Sequence, residues 1–207
     1  MDIIKIVITG GPCGGKSTGM EWIRKAFTEE QGWRVVIVPE TATELIGGGV
    51  TPWTCGTNLD YQKCQMRLQL EKEDIFGQGV RTMDADRVLV VCDRGALDNK
   101  IYMNEEEYAE VLRFVGRDEQ SLLDSYDAVF HLVTAADGAE AYYSLDNNGA
   151  RYETPAQAIE MDRRGLRCWS SHRHLRVIDN STGFDEKMER LISEIRSFLD
   201  DRQAGSK

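Results

Sequence analysis

Five short runs of β-branched and other apolar residues are spaced along the chain, with helix-like segments between them. Short, nearly continuous apolar runs are typical of strands buried on both faces of a parallel sheet. Their alternation with helices predicts a three-layer α/β/α sandwich around a five-stranded parallel sheet. We find no repeat and no linker, so the pattern predicts a single domain over residues 1–207. The five predicted strands cover residues 3–8, 33–38, 86–92, 127–133 and 175–179.

Helical spacing of apolar residues is clearest after the first strand and at the end of the chain. Asn58 or Asp60 is predicted to cap a long helix, and residues 200–207 are expected to fray. Residues 135–171 are polar, contain the turn sequence of residues 146–149, and predict an irregular segment. The predicted helices cover residues 16–30, 41–46, 58–83, a segment beginning near 104, and 185–199.

The segment between the first strand and the first helix has the pattern G-x-x-x-x-G-K-[ST]. Its glycines let the backbone curl so that N–H groups face phosphate oxygens, and the following helix presents its positive end. Lys16 is expected to reach the β- and γ-phosphates, and the Ser17 hydroxyl to ligate Mg²⁺. The pattern therefore predicts a nucleoside triphosphate site. Its predicted binding residues are Gly11, Pro12, Cys13, Gly14, Gly15, Lys16, Ser17 and Thr18.

Acidic residues follow two of the predicted strands. Glu40 comes after the second strand, and Asp93 and Arg94 come directly after the third. Ligands of open α/β sheets bind at the carboxyl ends of strands, and an apolar strand that ends in an aspartate is how many P-loop proteins present a Mg²⁺ ligand. The alternative for both carboxylates is a helix cap or a turn residue.

Basic residues are concentrated in the polar segment of residues 135–171, which holds Arg151, Arg163, Arg164 and Arg167. In a helix, Arg163 and Arg167 would share one face because they are four positions apart. They are either residues that close over phosphates or surface residues that balance an acidic protein. The net charge of −10 disfavours nonspecific binding to nucleic acid or to anionic lipid.

The five cysteines form no C-x-x-C pair and are odd in number, so neither a zinc site nor a disulfide framework is indicated. Reduced thiols are typical of a cytoplasmic protein. No apolar run approaches the ~20 residues that span a bilayer, and the start of the chain, Met1-Asp2, does not resemble a signal peptide.

Several motifs together resemble the AAA-type P-loop domains of the NadR and TRP-translocation-defect group, which includes riboside kinases. These motifs are Thr9-Gly10-Gly11-Pro12-Cys13-Gly14-Gly15-Lys16-Ser17-Thr18-Gly19, Val38-Pro39-Glu40-Thr41-Ala42, Cys92-Asp93-Arg94-Gly95 and Val177-Ile178-Asp179-Asn180-Ser181. They are spaced across nearly the whole chain. The layout is more distantly similar to that of deoxynucleoside and thymidylate kinases.

The resemblance implies a strand order of 2-3-1-4-5 and a lid-like segment at about residues 138–171. It implies that Glu40 orients or deprotonates an acceptor hydroxyl, and that Asp93 serves Mg²⁺ or acts as the base. Arg94 would hold the acceptor or neutralise the transferring charge. Arg163, Arg164 or Arg167 would close over the phosphates, and residues 180–183, beginning at Asn180, would border the base of the donor nucleotide.

Two functions follow from these expectations. The first is a Mg²⁺-dependent kinase that transfers the γ-phosphoryl group of ATP or GTP to a small nucleoside- or riboside-like acceptor. The second is a nucleotide-binding switch with a macromolecular partner. Guanine-reading switches usually carry N-K-x-D, whereas Asn99-Lys100 is followed here by Ile101-Tyr102. The acceptor, the preferred base and the oligomeric state are left open.

Overall fold

A five-stranded parallel sheet forms the centre of the computed structural model, which describes residues 1–28, 32–139 and 154–205. The strand order is β2-β3-β1-β4-β5, which confirms the predicted order. Parallel pairing brings the carboxyl ends of the strands to one edge of the sheet; Ile8 of the central strand, for example, is paired with Asp93. The strands are β1 (Asp2–Thr9), β2 (Trp33–Val38), β3 (Arg87–Asp93), β4 (Ala128–Leu132) and β5 (Leu175–Ile178).

Helices cover both faces of this sheet. Ile4, Ile6 and Ile8 of β1 face a core completed by α1 and α7, and Val7 faces a second core completed by α3, α4 and α6. This alternation is the expected consequence of a strand buried on both sides. The helices are α1 (Lys16–Ala26), α2 (Thr41–Gly47), α3 (Asn58–Val80), a 3₁₀ helix (Ala96–Tyr102), α4 (Glu105–Val115), α5 (Glu119–Leu123), α6 (Pro155–Trp169) and α7 (Phe184–Gly205).

The prediction of an irregular segment at residues 135–171 is wrong where α6 lies. Thr154 caps this helix and Pro155 occupies its first turn. Its buried positions are Ala158, Asp162, Gly165 and Trp169, so an acidic residue and a glycine interrupt the apolar stripe that usually marks the buried face of a helix. The predicted turn at residues 146–149 and Arg151 lie outside the described residues.

Several helix ends differ from their predictions, including that of α3, which ends at Val80 instead of residue 83. Thr57, not Asn58 or Asp60, caps α3, because its Oγ1 accepts a hydrogen bond from the Asp60 N–H. The first helix ends at Ala26, and the last continues to Gly205 instead of fraying after residue 199. The 3₁₀ helix and α5 were not predicted. In the described parts of the chain, no helix combines the length and apolar character needed to cross a bilayer.

Candidate active site

The glycine-rich loop between β1 and α1 lies tightly against the end of β4. Gly10 and Gly15 have φ angles of 133° and 92°, and Cys13 is also in the left-handed region, with φ of 55°. A Cβ atom on Gly10 would lie only 2.0 Å from the Leu132 carbonyl oxygen. Both the sign of φ and this close approach therefore require glycine at that position.

Lys16 lies at the first position of α1 and its side chain folds back over the loop. Its Nζ donates to the carbonyl oxygens of Gly10, at 3.0 Å, and Gly11, at 2.9 Å. Burial, together with the nearby Arg94 guanidinium, lowers the pKa of Lys16 to about 7. A bound polyphosphate would favour the charged ammonium, because an adjacent anion raises the pKa of a lysine.

Asp162 of α6 supports the loop from the side. Its Oδ1 accepts hydrogen bonds from the Gly11 N–H, at 2.6 Å, and the Thr134 N–H, at 3.2 Å, and lies 3.1 Å from His131 Nε2. Burial pushes the pKa of Asp162 up, but these hydrogen bonds hold it below its ordinary value. The sequence analysis missed this residue. His131 is fully buried in β4 as its partner.

Lys187 of α7 is the second supporting residue that the sequence analysis missed. Its side chain is buried, and its Nζ donates to the Gly14 carbonyl at 3.1 Å, the Val133 carbonyl at 2.7 Å and Asn180 Oδ1 at 2.8 Å. Burial lowers the pKa of Lys187 to about 8. Asn180, which we expected beside the base of the nucleotide, also donates to the carbonyl oxygens of Thr134 and Asp137.

Glu40 and Arg94 meet at the edge of the sheet where β2 and β3 end. Arg94 Nε donates to Glu40 Oε1 at 2.6 Å, and Arg94 Nη1 donates to the Gly10 carbonyl at 3.3 Å. Burial raises the pKa of Glu40, but the Arg94 charge, the hydrogen bonds from Thr43 and Arg94 and the Lys16 charge together outweigh burial, so the pKa stays below its ordinary value. Arg94 has a φ of 66°, in the left-handed region that non-glycine residues rarely adopt. Such strain is frequently found at functional sites.

Asp93, the last residue of β3, has a buried carboxylate oxygen that accepts no hydrogen bond within the described part of the chain. Burial and the nearby Glu40 charge raise the pKa of Asp93 to about 6. A buried, unpartnered carboxylate oxygen costs free energy, which a cation or a hydrogen-bond donor at this position would recover.

Two cavities meet at Glu40, Arg94 and Tyr102, which line both of them. The first has a volume of about 450 Å³ and includes Lys16, Ser17 and Asp93, so we call it the phosphate-side cavity. The second, of about 470 Å³, lies between α2, α3 and the 3₁₀ helix, and we call it the second cavity. Its lining includes Trp53, Tyr61, Gln62, Gln65 and Asn99.

The three arginines expected to close over the phosphates lie on α6. Arg163, Arg164 and Arg167 are all exposed, and Arg167 donates to Glu160 of the same helix at 2.9 Å. The same helix brings Asp162 to Gly11 and places Met161 in the lining of the phosphate-side cavity. Part of the predicted lid, residues 140–153, lies outside the described residues.

Comparison with known proteins agrees with this geometry. A family model described as an AAA domain matches residues 5–187, a span that includes the phosphate loop, both strand-end carboxylates and Lys187. No curated protein matches the chain. The chain therefore belongs to the AAA domain family and is a P-loop NTPase-type domain.

Proposed function

We propose that this protein is a Mg²⁺-dependent kinase that transfers the γ-phosphoryl group of ATP or GTP to a hydroxyl of a small, nucleoside- or riboside-like acceptor. One observation carries the proposal: a second cavity adjoins the phosphate-side cavity, and Glu40 and Arg94 line both. A nucleotide-binding switch has no need of a second cavity for a small molecule beside its phosphates. Cavities of about 470 Å³ have the size of typical small-molecule sites.

The donor nucleotide would bind across the loop at Gly11–Thr18. Backbone N–H groups and the positive end of α1 favour phosphate there, and Lys16 would turn from the Gly10 and Gly11 carbonyls to the β- and γ-phosphates. Asn180, whose side-chain oxygen accepts a hydrogen bond from Lys187, would border the base of the nucleotide.

Ser17 and Asp93 would hold Mg²⁺, since both line the phosphate-side cavity and supply the oxygen ligands that this ion prefers. The unpartnered Asp93 oxygen fits this assignment. Mg²⁺ held by these two residues would partly neutralise the negative charge of the phosphates.

Glu40 would accept the hydrogen bond of the acceptor hydroxyl where the two cavities meet. The acceptor oxygen forms its bond to the γ-phosphorus as the bond from that phosphorus to the β,γ-bridging oxygen breaks, and a nucleoside diphosphate leaves. The hydroxyl proton passes to the Glu40 carboxylate. Because phosphoryl transfer has a loose transition state, orienting the hydroxyl matters more than strong basicity. A carboxylate kept ionised by Arg94 suits that role.

Arg94 would also neutralise charge on the transferring group, since its Nη1 already contacts the Gly10 carbonyl in the loop. Arg163, Arg164 and Arg167 would supply further positive charge near the phosphates, since Met161 of the same helix lines the phosphate-side cavity.

The test is a panel of nucleosides, nucleotides and ribosides, each added to the protein with Mg²⁺ and ATP or GTP. We expect at least one compound to raise nucleoside diphosphate release above the rate without acceptor and to appear as a phosphorylated product by mass spectrometry. If no member of the panel is phosphorylated or raises release, the kinase proposal fails and the switch replaces it.

A further inference from the structure

Gln62 of α3 has a buried carbonyl oxygen, Oε1, for which the described residues provide no hydrogen-bond donor. The side chain lines the second cavity, and the residue is only 2% exposed. A buried amide oxygen without a donor costs free energy, so native structures seldom leave one unsatisfied. Because the Gln62 side chain lines the second cavity, a donor group of a ligand that reaches Oε1 from that cavity would satisfy it.

The surrounding hydrogen bonds fix which end of the Gln62 amide faces which neighbour. The backbone carbonyl oxygen of Tyr102 can only accept a hydrogen bond, so the Asn58 side chain must present its Nδ2 donor to this oxygen. The distance from Asn58 Nδ2 to the Tyr102 oxygen is 2.9 Å. Asn58 Oδ1 therefore faces Gln62, whose Nε2 donates to it at 3.4 Å. This orientation leaves Oε1 as the end of the amide without a partner, and an amide oxygen can only accept a hydrogen bond.

The neighbouring Tyr61 is a second unsatisfied group of the same cavity. Its hydroxyl is buried and has no partner among the described residues. Burial raises the pKa of Tyr61 to about 12, so the hydroxyl stays neutral and can both donate and accept. At the cavity edge, the Trp53 side chain is 74% exposed and offers a flat face for a ring.

Resting on the proposed kinase function, we infer that Gln62 selects acceptors whose planar ring carries an N–H donor, such as an amino or carboxamide group. The donor would bind Gln62 Oε1, and Tyr61 would bind an adjacent polar atom of the ring. A ring that lacks the donor would leave Oε1 buried and unpaired. Sites built to hydrogen-bond a substrate group discriminate strongly against analogues without it.

The experiment compares acceptors in pairs that differ in this donor without a change of charge: adenosine with purine riboside, cytidine with its 4-deamino analogue, and a pyridine carboxamide riboside with the corresponding methyl ketone. For the pair that contains the preferred acceptor, the wild type should favour the N–H-bearing member in kcat/KM by roughly 10²-fold. Gln62→Met should abolish most of this preference by raising the acceptor KM, with the nucleotide KM unchanged. Tyr61→Phe should raise the same KM by a smaller factor.

Gln78→Met is the matched control, because Gln78 lies exposed on the same helix and bonds Asp74 instead of lining the second cavity. It should keep the wild-type preference. Thermal unfolding and nucleotide affinity would show that the Gln62 variant is folded. Equal use of both members of each pair by the wild type, or a preserved preference in folded Gln62→Met, would overturn the inference; a water molecule would then satisfy Oε1.

Binding of the same pairs, measured by calorimetry in the presence of ADP or GDP, separates this inference from the proposed function. If the N–H-bearing member binds more tightly to the wild type but not to Gln62→Met, the inference holds even when no compound is phosphorylated. If phosphorylation is found but neither assay shows the preference, the kinase proposal stands and the role of Gln62 fails.

Discussion

The guanidinium of Arg94 donates through Nε to Oε1 of Glu40 at 2.6 Å, so the ends of β3 and β2 are joined by a partly buried ion pair. The two residues lie 54 positions apart in the chain and line both cavities. The pair holds Glu40 ionised at the boundary between the phosphate-side cavity and the second cavity. Because Glu40 lies at this boundary, its replacement should affect phosphoryl transfer to an acceptor more than hydrolysis of the nucleotide by water.

Glu40→Gln should reduce acceptor phosphorylation by roughly 10²–10⁴, the usual contribution of a positioned acid or base. Basal hydrolysis needs no acceptor and should fall far less, and nucleotide affinity should be nearly unchanged. Glu21→Gln, an exposed change on α1 that lines neither cavity, is the control. Steady-state rates with and without acceptor would check this. If Glu40→Gln phosphorylates the acceptor at the wild-type rate, Glu40 takes no part in transfer.

Asp93→Asn should lower Mg²⁺-dependent turnover by roughly 10²–10³, a typical loss for one charge-stabilising group. Nucleotide binding measured without Mg²⁺ should change much less. The comparison is a titration of turnover against Mg²⁺ for the wild type, Asp93→Asn and Asp84→Asn, an exposed surface control. Near-normal turnover in a folded Asp93→Asn protein would show that Asp93 does not serve Mg²⁺ and only ends the strand.

Lys16→Ala should weaken triphosphate binding at least tenfold, because a hydrogen bond to a charged group contributes about 1.5–3 kcal/mol. The fold should be retained, since the Lys16 ammonium bonds only carbonyl oxygens of its own loop in the contacts described above. Lys25→Ala, an exposed change on the same helix, controls for loss of a positive charge. Calorimetric titration with ATP and GTP measures the difference, and unchanged affinity in folded Lys16→Ala would refute the phosphate-loop assignment.

Two glycine substitutions should change stability in opposite directions. Gly10→Ala would place Cβ 2.0 Å from the Leu132 carbonyl oxygen at a φ of 133°, and should lower the free energy of unfolding by about 3 kcal/mol or more. Gly77→Ala, inside α3 with no atom within 4 Å of the new Cβ, should raise it by about 0.5–1 kcal/mol. Urea unfolding of both variants tests the pair, and equal stabilities would contradict it.

Lys187 should contribute a pH dependence to stability. Its pKa is about 8 in the folded protein and 10.5 when unfolded, so between these values the unfolded chain holds a proton that the folded protein lacks. The free energy of unfolding should therefore rise with pH across this window through Lys187. Lys187→Met removes this contribution, and its stability should rise less from pH 8 to pH 10 in urea unfolding experiments. Parallel curves for the two proteins would show that Lys187 does not titrate there.

The sequence was sufficient for the sheet and the phosphate loop, because both depend on local signals. Each strand is a nearly continuous apolar run, and the spacing of Gly10, Gly15, Lys16 and Ser17 follows from the backbone geometry of a single loop. Glu40 and Asp93 could be recognised because parallel strands must end at one edge. The loop and the two strand-end carboxylates were therefore accessible from the residue pattern, whereas the strand order was predicted from the resemblance to known P-loop domains.

Asp162, Lys187 and Gln62 could not be recognised in the same way. Asp162 reaches Gly11 across 151 positions, and Lys187 reaches Gly14 across 173. Each residue lies in a helix where a polar side chain ordinarily indicates a solvent-facing position, yet all three are buried. Which helix face is buried depends on how the helices pack on the sheet. Only the tertiary structure decided these roles: Asp162 and Lys187 support the loop through hydrogen-bond partners distant in the chain, and Gln62 lines a cavity that exists only where α2, α3 and the 3₁₀ helix pack together.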